Sequence, residues 1–100
     1  MSNNYRKGYR AEKRIADEIG GKRLGVLGKE DVAHHQFSFE IKSRKVLPKF
    51  LKNCYEQATR NCPKDRLPVV VLKEKGKRYE DCLVIINFKD FISCVVKKEK

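Results

Sequence analysis

No stretch of this 100-residue chain approaches the roughly 18 to 20 consecutive apolar residues that cross a bilayer. The amino-terminal run Met1-Ser2-Asn3-Asn4-Tyr5-Arg6-Lys7 also lacks the apolar block that opens a signal peptide. No membrane partner is expected, and the chain reads as soluble, intracellular and cytoplasmic. Cysteine is scarce: Cys54, Cys62, Cys82 and Cys94 show no C-x-x-C spacing, and three of them lie in apolar stretches. That pattern suits reduced, buried thiols and argues against a zinc site or a disulfide framework. Internal repeats, linkers and low-complexity tracts are missing as well. One domain spanning 1–100 is therefore expected, with a core over about 5–95 and a basic tail at 96–100. Acids are the scarcer charge, 13 against 24 Lys plus Arg, for a formal net charge of +11. Such a balance marks a chain that binds polyanions, with nucleic acid the leading partner. A solvated basic surface without a ligand is the alternative.

Periodicity supplies the elements. Tyr9, Ala11, Ile15, Ala16 and Ile19 recur at helical spacing and predict a helix from about Tyr5 to Ile19, stopped by Gly20-Gly21. Leu24 to Leu27 predict a short strand, and Gly25 and Gly28 bracket a turn leading into Glu30-Asp31-Val32-Ala33. Phe37 to Lys42 form the next strand. Pro48 opens a second helix with an apolar stripe of Leu47, Phe50, Leu51, Cys54, Tyr55, Ala58 and Cys62, expected to pack against a sheet. Leu67 to Leu72 and Cys82 to Ile86 are continuous apolar runs and predict fully buried strands. Asn87 is placed to cap a last helix carrying Phe88, Phe91, Ile92 and Val95, with Asp90 in its first turn.

Chemistry concentrates in the third strand. Phe37, Phe39 and Ile41 alternate with Ser38, Glu40 and Lys42, so one face is buried while the other presents a carboxylate and an ammonium together. A hairpin with a four-residue loop over His34 to Phe37 sets Ala33 opposite Ser38 and Asp31 opposite Glu40. A register shifted by one residue substitutes Glu30 for Asp31. Two acids brought together in this way need a cation or a proton between them. Glu12 sits within the apolar pattern of the first helix, so its carboxylate leans toward the core. Lys42, Arg44, Lys45, Lys49 and Lys52 follow with no acid among them and form a positive patch beside the carboxylates.

The ordered set resembles the PD-(D/E)XK nuclease superfamily. Within it, the chain is similar to the small Holliday-junction-resolvase-like nucleases of archaea and bacteriophages. The residues that carry the likeness are Arg6-Lys7-Gly8-Tyr9-Arg10-Ala11-Glu12 in the opening helix, Asp31, the triplet Glu40-Ile41-Lys42, and Gln57-Ala58 in the second helix. The resemblance spans about residues 5 to 92. Glu30 stands where the superfamily has its proline, and it is a second acid able to compete with Asp31 for a metal.

The resemblance implies an α/β (α+β) fold: a restriction-endonuclease-like αβββαβ core with a central mixed sheet flanked by helices. It implies a Mg2+-dependent endodeoxyribonuclease, with Mn2+ substituting, that hydrolyses phosphodiester bonds in branched DNA such as Holliday junctions and works as a homodimer. Asp31, Glu40 and the backbone carbonyl of Ile41 are then metal ligands. Glu12 reaches the metal through water or a second ion. Lys42 orients or deprotonates the attacking water or stabilises charge on the phosphorane, and Gln57 positions the site or a phosphate. Arg6, Lys7, Arg10, Arg44 and Lys45 become DNA phosphate contacts.

Plainer readings stand beside each of these. Glu40 and Lys42 make an ordinary surface ion pair, Asp31 a turn residue and Gln57 a solvated helix position. Glu12 is then an edge-of-face glutamate paired with a lysine. His34 and His35 would point to opposite faces if they lay on a strand, so they read as hairpin loop and not as ligands of one ion. Ser43 has no adjacent base, which leaves a serine nucleophile without support. Two other functions remain open: a basic nucleic-acid-binding module without catalysis, and a nuclease of the same fold acting on nicks, flaps or duplex ends.

Overall fold

The computed structural model of the chain describes residues 2–25 and 30–95, with side chains from residue 8 onward. Its elements run α1 (Ser2–Ile19), β1 (Lys22–Arg23), β2 (Val32–Ala33), β3 (Ser38–Phe39), α2 (Lys49–Arg60), β4 (Val70–Leu72), β5 (Leu83–Ile85) and α3 (Phe88–Val95). The described residues thus make a small α+β protein with three helices and two antiparallel sheets, β1-β2-β3 and β4-β5. The expected single mixed sheet is not formed among them. Two compact units result, 1–45 and 46–100. No helix among the described residues is long and apolar enough to cross a membrane.

In the first unit, α1 begins three residues earlier than the spacing suggested and ends where expected. Gly20 takes φ +74°, and the Gly21 N–H donates to the Ala16 carbonyl at 2.9 Å, a glycine stop that satisfies a terminal carbonyl and reverses the chain at once. Gly21 also runs hard against β2: a Cβ there would lie 2.5 Å from the Ala33 carbonyl oxygen. The reversal is tight enough that β1 forms at Lys22–Arg23, ahead of the strand expected over Leu24 to Leu27. Val26, Leu27, Gly28 and Lys29 of that strand and turn lie outside the described residues. The Leu24 N–H still donates to the Asp31 carbonyl at 3.1 Å. Helix α1 packs on β1 and β2, and the core there consists of Ala16, Ile19 and the fully buried Val32.

The second unit is more open. Pro48 stands immediately before α2, and its carbonyl accepts the Lys52 N–H at 3.2 Å. Helix α2 packs on β4, with Leu51, Cys54, Tyr55 and Ala58 of its stripe half-buried but Leu47 and Phe50 exposed. The Tyr55 hydroxyl ties the unit together by donating to the Pro68 carbonyl at 3.3 Å and accepting the Asn87 N–H at 3.0 Å. Asn87 caps α3 as expected, its Oδ1 accepting the Lys89 N–H at 3.0 Å. The strands differ from expectation. Both are three residues long, and Val71 and Val84, paired across the sheet, are each 60% exposed. A sheet of two strands has one face for α2, and the other stays in water. The four thiols are unpaired with one another, Cys54, Cys62 and Cys82 half-buried and Cys94 exposed, so the expected burial is not reached. The expected basic tail lies outside the described residues.

Candidate functional site

The hairpin of β2 and β3 adopts the first of the two registers open to the sequence. Ala33 pairs with Ser38 and Val32 with Phe39, around a turn closed by the His34 N–H donating to the Phe37 carbonyl at 3.0 Å. The alternation holds: Phe37, Phe39 and Ile41 are half-buried, while Ser38, Glu40 and Lys42 are exposed. At the end of the ladder the Asp31 N–H donates at 2.9 Å to the carbonyl of Phe39, the residue that Val32 pairs with.

Asp31 also holds the chain beyond β3. Its Oδ2 accepts the Ile41 N–H at 2.6 Å, a short charge-assisted bond that pins the strand carrying Glu40-Ile41-Lys42 to the end of β2. Lys42 Nζ lies 3.0 Å from Glu40 Oε2, both side chains well exposed. The Glu40 carboxylate, by hydrogen bond and by charge, raises the Lys42 pKa above its ordinary value, and the Asp31 charge adds to the same direction. Two carboxylates and an ammonium therefore share one end of the hairpin. Asp31 Oδ1 and Glu40 Oε1 remain outside these pairings.

Glu12 is directed elsewhere. Its side chain is largely buried, as its place on α1 required, but Arg23 Nε donates to Glu12 Oε1 at 3.0 Å. The same guanidinium lies 4.3 Å from the centroid of the Tyr9 ring. Among the described residues no three of His, Cys, Asp and Glu gather closely enough to hold a metal. The expected convergence of Glu12 with Asp31 and Glu40 is thus not formed, and Arg23 is the physical reason. Arg23 went unremarked in the sequence. The signal available was Tyr9 and Glu12, three apart on one helix face, with a cation just past a glycine stop that folds the chain back along that face.

The remaining candidates are surface positions. Arg10 is exposed on α1, and Arg44 and Lys45 are exposed in the segment after β3. Arg6 and Lys7 belong to the first turns of α1, and their side chains lie outside the described residues. Gln57 is exposed on α2 in the second unit. Glu30 is half-buried beside Asp31. The histidines occupy the turn and not a strand, so the argument from opposite faces does not apply: their rings lie 4.2 Å apart.

No protein-family model, curated protein or solved structure matches this chain.

Proposed function

We propose that the chain is a metal-dependent DNA endonuclease of the PD-(D/E)XK kind, acting on branched DNA, with Asp31, Glu40 and Lys42 as its working residues. The observation that carries this reading is the end of the hairpin, where Asp31 accepts the Ile41 N–H and Glu40 lies beside Lys42. The donor set fits magnesium, a hard ion satisfied by one or two carboxylates while it keeps several waters. Asp31 through Oδ1 and Glu40 through Oε1 would hold it, with the carbonyl of Ile41, the residue after Glu40, as a further ligand. A divalent ion bound there supplies charge neutralisation and a nucleophilic water at neutral pH.

The chain's own residues account for the rest. Lys42 is an ammonium at neutral pH, as an ordinary lysine is, so its part is to hydrogen-bond a non-bridging phosphate oxygen and stabilise the charge gathering there. Arg6, Lys7, Arg10, Arg44 and Lys45 hold the phosphate backbone, and Gln57 a phosphate. Glu12 serves by holding Arg23. The homodimer belongs to this reading because two scissile strands need two sites, with the exposed Val71 and Val84 face as the joining surface.

The test is incubation of wild type and Glu40→Gln with a labelled four-way junction, with and without Mg2+ or Mn2+. Paired symmetric nicks from wild type plus metal alone are expected. Flaps, nicked duplex and linear duplex in the same panel distinguish a resolvase from a nuclease with another substrate. A second reading has its own observation: Glu40 and Glu12 are already paired with Lys42 and Arg23. A basic DNA-binding module without catalysis requires no more of these acids. On that reading, junction binding survives Asp31→Asn and Glu40→Gln, and no product appears with any metal.

A further inference from the structure

The loop from β4 to β5 carries cations and a ring that the site above does not use. Two successive turns order it. In the first, the Lys77 N–H donates to the Glu74 carbonyl at 3.1 Å around Gly76, whose φ of +85° suits the third position of such a turn. In the second, over Tyr79–Asp81, the Asp81 N–H donates to the Arg78 carbonyl at 3.0 Å and the Cys82 N–H to the Tyr79 carbonyl at 3.1 Å. Arg78 braces that turn, its Nε 3.3 Å from Asp81 Oδ2 and its Nη2 3.5 Å from Glu80 Oε2. Tyr79 is thereby held with its ring in water, 84% exposed. Lys73 lies against the ring, its Nζ 5.0 Å from the centroid while it donates to the Glu74 carbonyl at 2.9 Å.

Lys73 also borders a groove of about 650 Å³ floored by Phe50 of α2, Leu72 and Leu83. Phe50 is 64% and Leu83 68% exposed. Leu72 pairs with Leu83 across the ladder, so both point away from the face that carries Val71 and Val84. Lys77 stands on the rim with Lys73, and among the described residues neither ammonium has a carboxylate partner. Of the two acids on the rim, Asp81 is held by Arg78, which leaves Glu74. Two unpaired ammonium groups against one unpaired carboxylate favour an anion, and Lys75, exposed on the same loop, adds a third cation. The apolar floor and the open ring ask that this anion carry flat, apolar faces as well. Single-stranded DNA has both, a phosphate at every nucleotide and bases free to stack on aromatic side chains. Paired bases inside a duplex already stack on each other. An acidic peptide matches the cations but brings no regular file of rings.

We propose that the β4–β5 loop and the groove beside it bind single-stranded DNA, with a base stacked on the Tyr79 face that Lys73 leaves open and phosphates on Lys73 and Lys77. The inference rests on the nucleic-acid reading above and narrows its substrate to a branch that carries an unpaired strand, such as a flap or a gapped junction.

The experiment uses the whole chain in EDTA, so that no strand is cut, with a blunt duplex and the same duplex bearing a tail of about ten thymidines and one 2-aminopurine. Wild type, Tyr79→Ala, Tyr79→Phe and Lys77→Gln are compared by affinity and by 2-aminopurine fluorescence. Tyr79 and Lys77 are exposed, so no substitution touches the core. Wild type is expected to quench the fluorescence on binding and to hold the tailed duplex about 5- to 100-fold more tightly than Tyr79→Ala. Tyr79→Phe is expected to restore both, because it keeps the ring and discards the hydroxyl. Lys77→Gln should bind the tail more weakly and flatten the slope of log affinity against log salt by about 0.7, the loss of one single-strand phosphate contact. All four should bind the blunt duplex alike. The proposal is overturned if Tyr79→Ala matches wild type on the tail, if Tyr79→Phe fails with Tyr79→Ala, which would assign the effect to the hydroxyl, or if Lys77→Gln keeps the wild-type slope. It is equally overturned if a polyglutamate peptide displaces the tail and binds with the same dependence on Tyr79, which would make the occupant an acidic protein segment. Wild type binding neither duplex removes the nucleic-acid reading and this inference with it, a result distinct from binding both duplexes alike, which removes this inference alone.

Discussion

At the scale of single residues, Asp31 has two tasks that substitution separates. Its Oδ2 accepts the Ile41 N–H, so Asp31→Ala leaves a half-buried donor without a partner and should cost about 1–3 kcal/mol in denaturant unfolding. Asp31→Asn keeps an oxygen acceptor in place but removes the negative charge. It should unfold close to wild type while losing Mg2+-dependent cleavage. Equal loss of stability in both variants would mean that the charge, not the acceptor, holds the hairpin. Lys42 carries a sign of its own. Because its folded pKa is raised, the pair with Glu40 contributes whatever stability it has below the ordinary lysine range for as long as Glu40 is ionised, and on the alkaline side loses it as pH climbs through the raised value. Exposure keeps that contribution small. Much of this site was legible in the sequence. Period-two alternation identified the polar face, and loop length gave Ala33 opposite Ser38. What could not be read was the direction of Glu12: burial followed from its place on the helix, but its partner depended on where the next strand began.

At the scale of elements, the two glycines that end α1 are predicted to behave differently. Gly20 needs its positive φ but has open space around it. Gly20→Ala should cost about 1 kcal/mol and leave the hairpin in place. Gly21→Ala sets a Cβ against the Ala33 carbonyl and the Val32 side chain, both parts of β2. Backbone cannot yield as a flexible side chain does, so the cost should reach the upper end of ~1–3 kcal/mol. The shift also falls on the strand that leads back to Asp31, and thermal unfolding with an activity assay will tell the two variants apart. The same reversal explains the misplaced first strand, since a 6→1 closure at Gly21 lets pairing start two residues before the apolar run. The strands β4 and β5 teach a second lesson. Their runs of Val, Leu and Ile read as buried on both faces, yet Val71, Leu83 and Val84 are all 60% or more exposed. Apolar content along one strand does not state how many strands lie beside it, and pairing partners are a property of the whole chain. Helix α3 was readable because its signal is local, with Asn87 two residues before the N–H it caps.

At the scale of the whole molecule, charge and the open apolar face respond to salt in opposite directions. Two copies at +11 repel one another, so association through the Val71 and Val84 face should strengthen as salt screens that repulsion. Val84→Lys, at an exposed strand position, should keep the far-UV circular dichroism and sediment as a monomer at every salt concentration. DNA binding should weaken over the same range, because each phosphate neutralised releases counterions. The log of the binding constant is expected to fall linearly with log salt, and the slope should lose about 0.9 for each phosphate contact removed. Arg10→Ala, Arg44→Ala and Lys45→Ala are therefore predicted to flatten the slope by about one each. They should weaken all DNA sequences alike, since phosphates carry no base identity. Glu40→Gln removes a negative charge from the same surface, so the variant should bind DNA as tightly as wild type or more so while cutting nothing. Weaker binding by that variant would show that Glu40 holds the DNA through an ion, and titration with and without Mg2+ at fixed ionic strength measures that contribution directly.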